Sequence, residues 1–182
     1  MYTEKTKILL FAITGLISGI ISGLSQFILP DIQLIQQYYP PLILGIFLYL
    51  CGIYIARIEI SKKILSLVIL IISCIIGWRI SIDVGYDLGG PVPFVTAGAL
   101  GAFVVAWGWL LSWRIRSDFL MFVVVVTASG ALGGLVFQMA DQLLEMKEDV
   151  WVLFLFCEWQ CILLTGIALA HPVNAPVPLR NR

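Results

Sequence analysis

The chain has 182 residues, of which 60% are hydrophobic and only 12% are charged, and its formal net charge is zero. About a quarter of the residues in a soluble domain are charged, so this composition excludes an ordinary soluble protein and offers no surface for nucleic acid. The mean hydropathy of +1.02 indicates an integral membrane protein whose main partner is the lipid bilayer.

Apolar stretches long enough to cross a bilayer recur along the chain. A helix needs about 20 mostly apolar residues to span the hydrocarbon, because its backbone groups must be hydrogen-bonded within the segment. We predict an all-α polytopic membrane protein, a single transmembrane domain over residues 1–182. Its six transmembrane helices are expected at residues 8–29, 38–56, 64–82, 91–113, 119–140 and 150–170. The segment Pro30–Pro41 is predicted to be a loop, and DQLLEMKED (141–149) to extend the fifth helix.

The charges are distributed unevenly between the two ends of the predicted helices. Nine of the eleven basic residues fall at the end that holds both termini: Lys5, Lys7, Arg57, Lys62, Lys63, Arg114, Arg116, Arg180 and Arg182. Acidic residues gather at the opposite end: Asp31, Asp83, Asp87, Asp141, Glu145, Glu148 and Asp149. Because cytoplasmic loops are enriched in Lys and Arg, we expect both termini to be cytoplasmic, in the plasma membrane.

Three similar stretches, SGIISG, SCIIGW and SGALGG, begin at Ser18, Ser73 and Ser129, which stand 55 and 56 residues apart. Each lies in a predicted helix of the same direction. The spacing favours three helical hairpins, because internal repeats of this kind occur in transporters. The alternative is chance similarity, since membrane helices draw on few residue types.

Glycines recur at helical spacing in the first helix (Gly15, Gly19, Gly23) and in the fifth (Gly130, Gly134). Small residues at this spacing let two helix backbones approach closely in lipid. We therefore interpret these faces as packing surfaces. They can join helices of this chain or bind other membrane subunits.

Polar side chains in the predicted outer half of the helices form the candidate site. Charged groups at membrane depth cost about 3 kcal/mol on insertion scales and usually face a bundle interior or a wet cavity. If helices one, three, five and six converge, an outward-facing polar pocket or ion path follows, lined by Gln26, Arg79, Asp83, Gln138, Asp141 and Glu158. The alternatives are an interfacial Arg79, which can pair with Asp83 at i,i+4, and a protonated or arginine-paired structural carboxyl at Glu158.

Two stretches resemble motifs of rhomboid intramembrane proteases: TASGALGG (127–134) their serine motif, and ALAHP (168–172) their histidine helix. A serine nucleophile needs a histidine within hydrogen-bond reach. By helical rise, Ser129 lies about 10 to 15 Å from His171, the only histidine in the chain. We therefore predict that the protein is not an enzyme. Cys157 and Cys161 share a helix face but lack further metal ligands, so we expect no metal and no cofactor.

The size, helix count and polar outer half are similar to the small substrate-binding subunits of energy-coupling-factor importers. This is an architectural analogy in which no diagnostic motif is matched, and likeness of fold does not give function. From the predicted polar cavity, our first hypothesis is a protein that binds or transports a small solute or ion through an outward-facing polar cavity. The alternative is a non-catalytic assembly partner within a larger membrane complex.

Overall fold

The computed structural model is all-helical. It describes residues 3–28, 33–56, 60–88, 93–113, 118–144 and 147–171. The described chain forms six helices: α1 (Glu4–Ile28), α2 (Gln33–Ala56), α3 (Ile60–Leu88), α4 (Pro93–Trp113), α5 (Phe119–Leu144) and α6 (Glu148–Ala170).

Five of these helices, α1, α3, α4, α5 and α6, are long and apolar enough to cross a membrane. Large apolar side chains such as Ile13, Ile72 and Val124 are exposed on the outside of the molecule. Such extensive apolar exposure marks a surface that faces lipid or another protein. The protein is therefore a helical membrane protein, as the composition predicts.

The helices form a closed ring in chain order. Each helix packs against the next one along the chain, and α6 packs extensively against α1. Glycines make several of these contacts: a Cβ atom added to Gly19 of α1 would lie 2.5 Å from the Phe156 carbonyl oxygen of α6. Similarly, a Cβ on Gly98 of α4 would overlap the backbone of Gly130 in α5. The predicted glycine faces thus hold helices of this chain together.

The second and third hairpins repeat one arrangement. The Ser73 side chain of α3 occupies the space that a Cβ atom on Gly108 of α4 would need, and the Ser129 side chain of α5 does the same at Gly166 of α6. The first hairpin differs, because Ser18 of α1 is hydrogen-bonded to α6 and not to α2. The predicted spacing of serines therefore corresponds to a shared packing position in two of the three hairpins.

The ends of the described chain meet at one end of the ring. Lys7 of α1 is only 4% exposed, and its ammonium group donates to the main-chain carbonyl of His171 and, at 3.0 Å, to Glu4. A cation here complements the negative end of the α6 dipole. Nearby, Phe11 and Trp109 pack edge to face at 6.2 Å. This end of the ring is filled by large apolar side chains.

Most helices continue past the predicted membrane spans, which follow the apolar runs alone. The predicted loop Pro30–Pro41 is wrong from Gln33 onward, because α2 begins at Gln33 and contains Pro40 and Pro41. At the other ends, α3 runs on to Leu88 and α5 to Leu144. The predicted extension of the fifth helix over 141–149 is confirmed for 141–144 only, because Glu148 already begins α6. Polar residues continue these helices because backbone hydrogen bonding does not stop at the end of an apolar run. Several residues used for the predictions lie outside the described part of the chain: Leu29, Asp31, Arg57, Pro91, Arg114, Arg116, Glu145, Arg180 and Arg182.

Candidate functional site

Three consecutive polar or aromatic residues lie at the middle of α6. They are Glu158, Trp159 and Gln160, in the sequence CEWQC, and we call them the α6 triplet. Successive residues of an α-helix turn by about 100°, so the three side chains point in different directions. Their neighbours are on α1, α4 and α5.

Gln160 faces α1 and is 1% exposed. Its side-chain oxygen accepts a hydrogen bond from Ser18 at 2.6 Å, and its amide nitrogen donates to Ser22 at 3.1 Å. Ser22 comes close because the glycines of α1 let the two backbones touch: Gly15 and Gly19 contact α6 directly. The polar groups of α1 and α6 thus bond across the seam that closes the ring.

Trp159 lies between α4 and α5. A Cβ atom added to Gly101 of α4 would lie 3.4 Å from one side of the indole, and a Cβ on Gly133 of α5 would lie 2.9 Å from Cδ1. The indole nitrogen is buried and has no hydrogen-bond partner within the described structure. An unpaired buried donor costs about 1–3 kcal/mol. This N–H is therefore available to an acceptor that enters the site.

Trp159 and Gln160 also line a small cavity bordered by residues of α2, α3, α4 and α6. The cavity volume is about 10 Å³, about the space of one water molecule. Pro41, Trp78 and Phe156 complete much of its wall, with the rings of Trp78 and Phe156 5.4 Å apart. The Trp78 indole nitrogen is buried and unpaired in the described chain, like that of Trp159.

Glu158 faces α5. Both carboxylate oxygens are buried, and neither has a hydrogen-bond partner among the described residues. A Cβ atom added to Gly133 would lie 3.5 Å from Oε1, so the glycine leaves the space that the carboxyl group occupies. An unpaired charge at membrane depth is costly. The carboxyl group therefore needs a proton or another positive charge.

The other predicted site residues make contacts of their own. Arg79 and Asp83 form an ion pair at 3.4 Å on α3, with side chains 40% and 58% exposed, which confirms their predicted pairing. Asp141 of α5 accepts a hydrogen bond from the Trp151 indole at 2.6 Å. No described contact joins the Arg79–Asp83 pair to Asp141 or Glu158.

Gln26 and Gln138 are both half-buried, near the ends of α1 and α5 that lie opposite the termini. None of the six predicted site residues is among the described residues that line the central cavity. Of the six, Glu158 alone belongs to the α6 triplet. The predicted pocket of six converging residues therefore stays a prediction.

Sequence reasoning missed Gln160 and Trp159. A signal for Gln160 was present: Cys157, Gln160 and Cys161 recur at helical spacing on one face, opposite the serine and glycine track of α1. Small residues on both helices indicate close approach, and an amide on such a face needs a partner across it. The partner helix, however, is not specified by the spacing within α6.

The residues of the protease-like motifs have local partners. The Ser129 hydroxyl donates to the Val125 carbonyl of its own helix at 2.9 Å. The His171 ring lies edge to face with Trp109, with ring centres 6.4 Å apart. Among the described residues, no group of three or more His, Cys, Asp or Glu is placed to hold a metal ion.

Comparison with known protein families, curated protein sequences and solved structures finds no match to this chain.

Proposed function

We propose that the protein binds a small solute or ion inside the helix ring and moves it across the membrane, with the α6 triplet as the binding site. The observation that carries this proposal is the pair of unpartnered groups in adjacent residues. The Glu158 oxygens and the Trp159 indole N–H lie buried at the middle of an apolar helix without hydrogen bonds from the described chain. Ionisable groups at such depth usually mark ion or substrate paths.

Two of the triplet residues, Glu158 and Trp159, offer unpaired groups for a small polar ligand on different faces of α6. Glu158 supplies acceptor oxygens, Trp159 and Trp78 supply free N–H donors, and Gln160 is held in place by the two serines of α1. A ligand that pairs these groups offsets the cost of leaving them buried. The polar atoms whose burial without hydrogen bonds destabilises the protein alone would thus stabilise the complex with its ligand.

The cavity of about 10 Å³ admits a solute larger than water only after the helices move apart. One end of the ring is closed by large buried side chains, including Phe11 and Trp109, and by the contact between Lys7 and His171. We expect the first opening at the other end, toward the loops that precede α2, α4 and α6. Alternating opening of the two ends is the usual transport cycle around a midplane site.

We further propose that α2 is a sixth membrane span and that both termini are cytoplasmic, in the plasma membrane. The contact between Lys7 and His171 places the start of α1 and the end of α6 side by side, as an even number of spans requires. The excess of Lys and Arg at this end supports the orientation. A reporter fused to either terminus should then be on the cytoplasmic side, and opposite sides for the two termini would contradict six spans.

The alternative function, a subunit that assembles with partners through its glycine faces, has less support. Gly15 and Gly19 pack against α6, and Gly130 and Gly134 against α4. These faces are already occupied by the chain's own helices. A partner protein would have to bind the apolar exterior instead.

Native mass spectrometry of the gently extracted protein tests the two functions together. We expect the wild type to retain a small molecule or ion, and Glu158→Gln to lose it or hold it less. Asp118→Asn is the matched control, because Asp118 is an exposed carboxylate at the start of α5. Retention of a protein partner with no small molecule would instead favour assembly. Equal retention by Glu158→Gln and the wild type would remove Glu158 from the site.

A further inference from the structure

We propose that Glu158 is a reversible proton-binding site and that solute movement through the ring is coupled to protons. The coupling rests on the proposed transport function, whereas proton binding at Glu158 can be tested without any solute. The proposal is carried by the placement of the carboxyl group between α5 and α6, opposite Gly133.

The positive partner that Glu158 needs is not supplied by a described side chain. Arg79, the basic residue of the central part of α3, pairs with Asp83 at 3.4 Å and is 40% exposed. Lys7 is paired with Glu4 and with the His171 carbonyl at the termini end of the ring. An ionised Glu158 would therefore be buried without compensation, which costs several kcal/mol.

The helices packed against Glu158 carry few other ionisable groups. The sequence of α4 has none, and α1 has them only at its start, in Glu4, Lys5 and Lys7. Asp141 is the single acidic residue of α5 and is bonded to Trp151. On α6 itself the titratable neighbours are the thiols of Cys157 and Cys161, with Glu148 and Asp149 at the helix start.

These surroundings favour a proton over a metal cation. Hard cations such as Ca²⁺ and Mg²⁺ take six or more oxygen ligands, and the described part of the chain places no cluster of three acidic, thiol or imidazole ligands anywhere. One carboxyl group is sufficient to bind a proton. Within the described structure, the residues around Glu158 are therefore adequate for H⁺ but not for a divalent metal cation.

The binding step is a simple proton transfer. A proton from water adds to one Glu158 oxygen and gives the neutral acid, which is compatible with the apolar surface around Gly133. Loss of that proton to water restores the carboxylate, and no other bond changes.

Carbodiimide labelling of the full-length protein in lipid vesicles tests the proposal. A hydrophobic carbodiimide adds to a carboxyl group only in its protonated form, and the product carries the mass of one intact reagent, located by peptide mass spectrometry. We expect the labelled fraction at Glu158 to fall several-fold as the buffer pH is raised, and Glu158→Gln to carry no label at position 158. Asp118→Asn should leave the labelling of Glu158 unchanged.

Three outcomes would overturn the proposal. Labelling of Glu158 that does not change with pH would mean a permanently protonated structural carboxyl. Absence of labelling at low pH would mean that the protonated form does not arise. Protection by Na⁺ or Ca²⁺ at fixed pH would assign the site to a metal cation. The wild-type pH profile decides the question even if Glu158→Gln fails to fold. If the profile is as expected but no solute is retained or transported, proton binding stands and the transport function fails.

Discussion

Ser18 and Gln160 should be energetically coupled through their hydrogen bond, and a double-mutant cycle can measure this coupling. The perturbations are Ser18→Ala and Gln160→Leu, singly and together. The Ser18 hydroxyl and the Gln160 oxygen are 2.6 Å apart, and both residues are fully buried. Hydrogen bonds between membrane helices average about 0.6 kcal/mol and reach about 1.7 kcal/mol. The short distance and full burial place this bond in the upper half of that range, at about 1–1.7 kcal/mol.

The single variants should be unequal. Ser18→Ala leaves the buried Gln160 oxygen without its donor, which costs about 1–3 kcal/mol. Gln160→Leu removes two hydrogen bonds at once, those to Ser18 and Ser22, but leaves an apolar side chain of similar size. The double variant should be less destabilised than the sum of the two single variants, because the second change removes the orphaned oxygen that the first one creates.

The assay is the free energy of unfolding in mixed micelles, measured by tryptophan fluorescence as the fraction of denaturing detergent is raised. Ser129→Ala is the matched control, because the Ser129 hydroxyl donates to its own helix, to Val125. Its cycle with Gln160→Leu should be additive. A coupling between Ser18 and Gln160 within about 0.3–0.5 kcal/mol of zero, the usual limit of additivity, would refute the reasoning and the bond.

The remaining predictions use the same unfolding assay. Gly19→Ala should lower the free energy of unfolding by about 1–3 kcal/mol, because the new Cβ would meet the α6 backbone at 2.5 Å. The control Ile20→Ala, at an exposed position, should change it by no more than about 0.5 kcal/mol. Equal losses in the two variants would contradict close packing of α1 on α6. Lys7→Met should lower the free energy of unfolding by about 1–3 kcal/mol, because Lys7 is buried and donates hydrogen bonds to Glu4 and to the His171 carbonyl. The exposed control Lys5→Met should change it little. A larger loss for Lys5→Met than for Lys7→Met would rule out a stabilising contact between Lys7 and His171. Glu158→Gln should be no less stable than the wild type, because it removes an unpaired carboxyl group; a loss above about 1 kcal/mol would indicate a missed partner.

Local features were predictable from the sequence, and contacts between distant helices were not. The pairing of Arg79 with Asp83 follows from their spacing of four residues and is present at 3.4 Å. The glycine and serine track of α1 correctly indicated a close helix contact. Its partner was not predictable, because α6 lies at the other end of the chain and any small-residue face would satisfy the same pattern.

The predicted site illustrates the same limit. Depth along a helix can be estimated from residue number, which is how Glu158 was assigned to the outer half of the sixth helix, and it lies near the middle of α6. Rotation about the helix axis depends on which neighbours pack on each side. Asp141 accepts a hydrogen bond from Trp151, so this ionisable group, singled out by depth, is engaged in a contact that only the packed structure reveals.

Each helix packs against the next one round the ring, and α6 packs against α1. The packing of the helices therefore does not depend on which helix comes first in the chain. The bond between Lys7 and His171 brings the start of α1 and the end of α6 close together. A circularly permuted chain, opened between α2 and α3 and with the end of α6 linked to the start of α1, would keep the seam between α1 and α6 intact. The permuted chain could then begin at any of the three hairpins without altering the surroundings of Glu158.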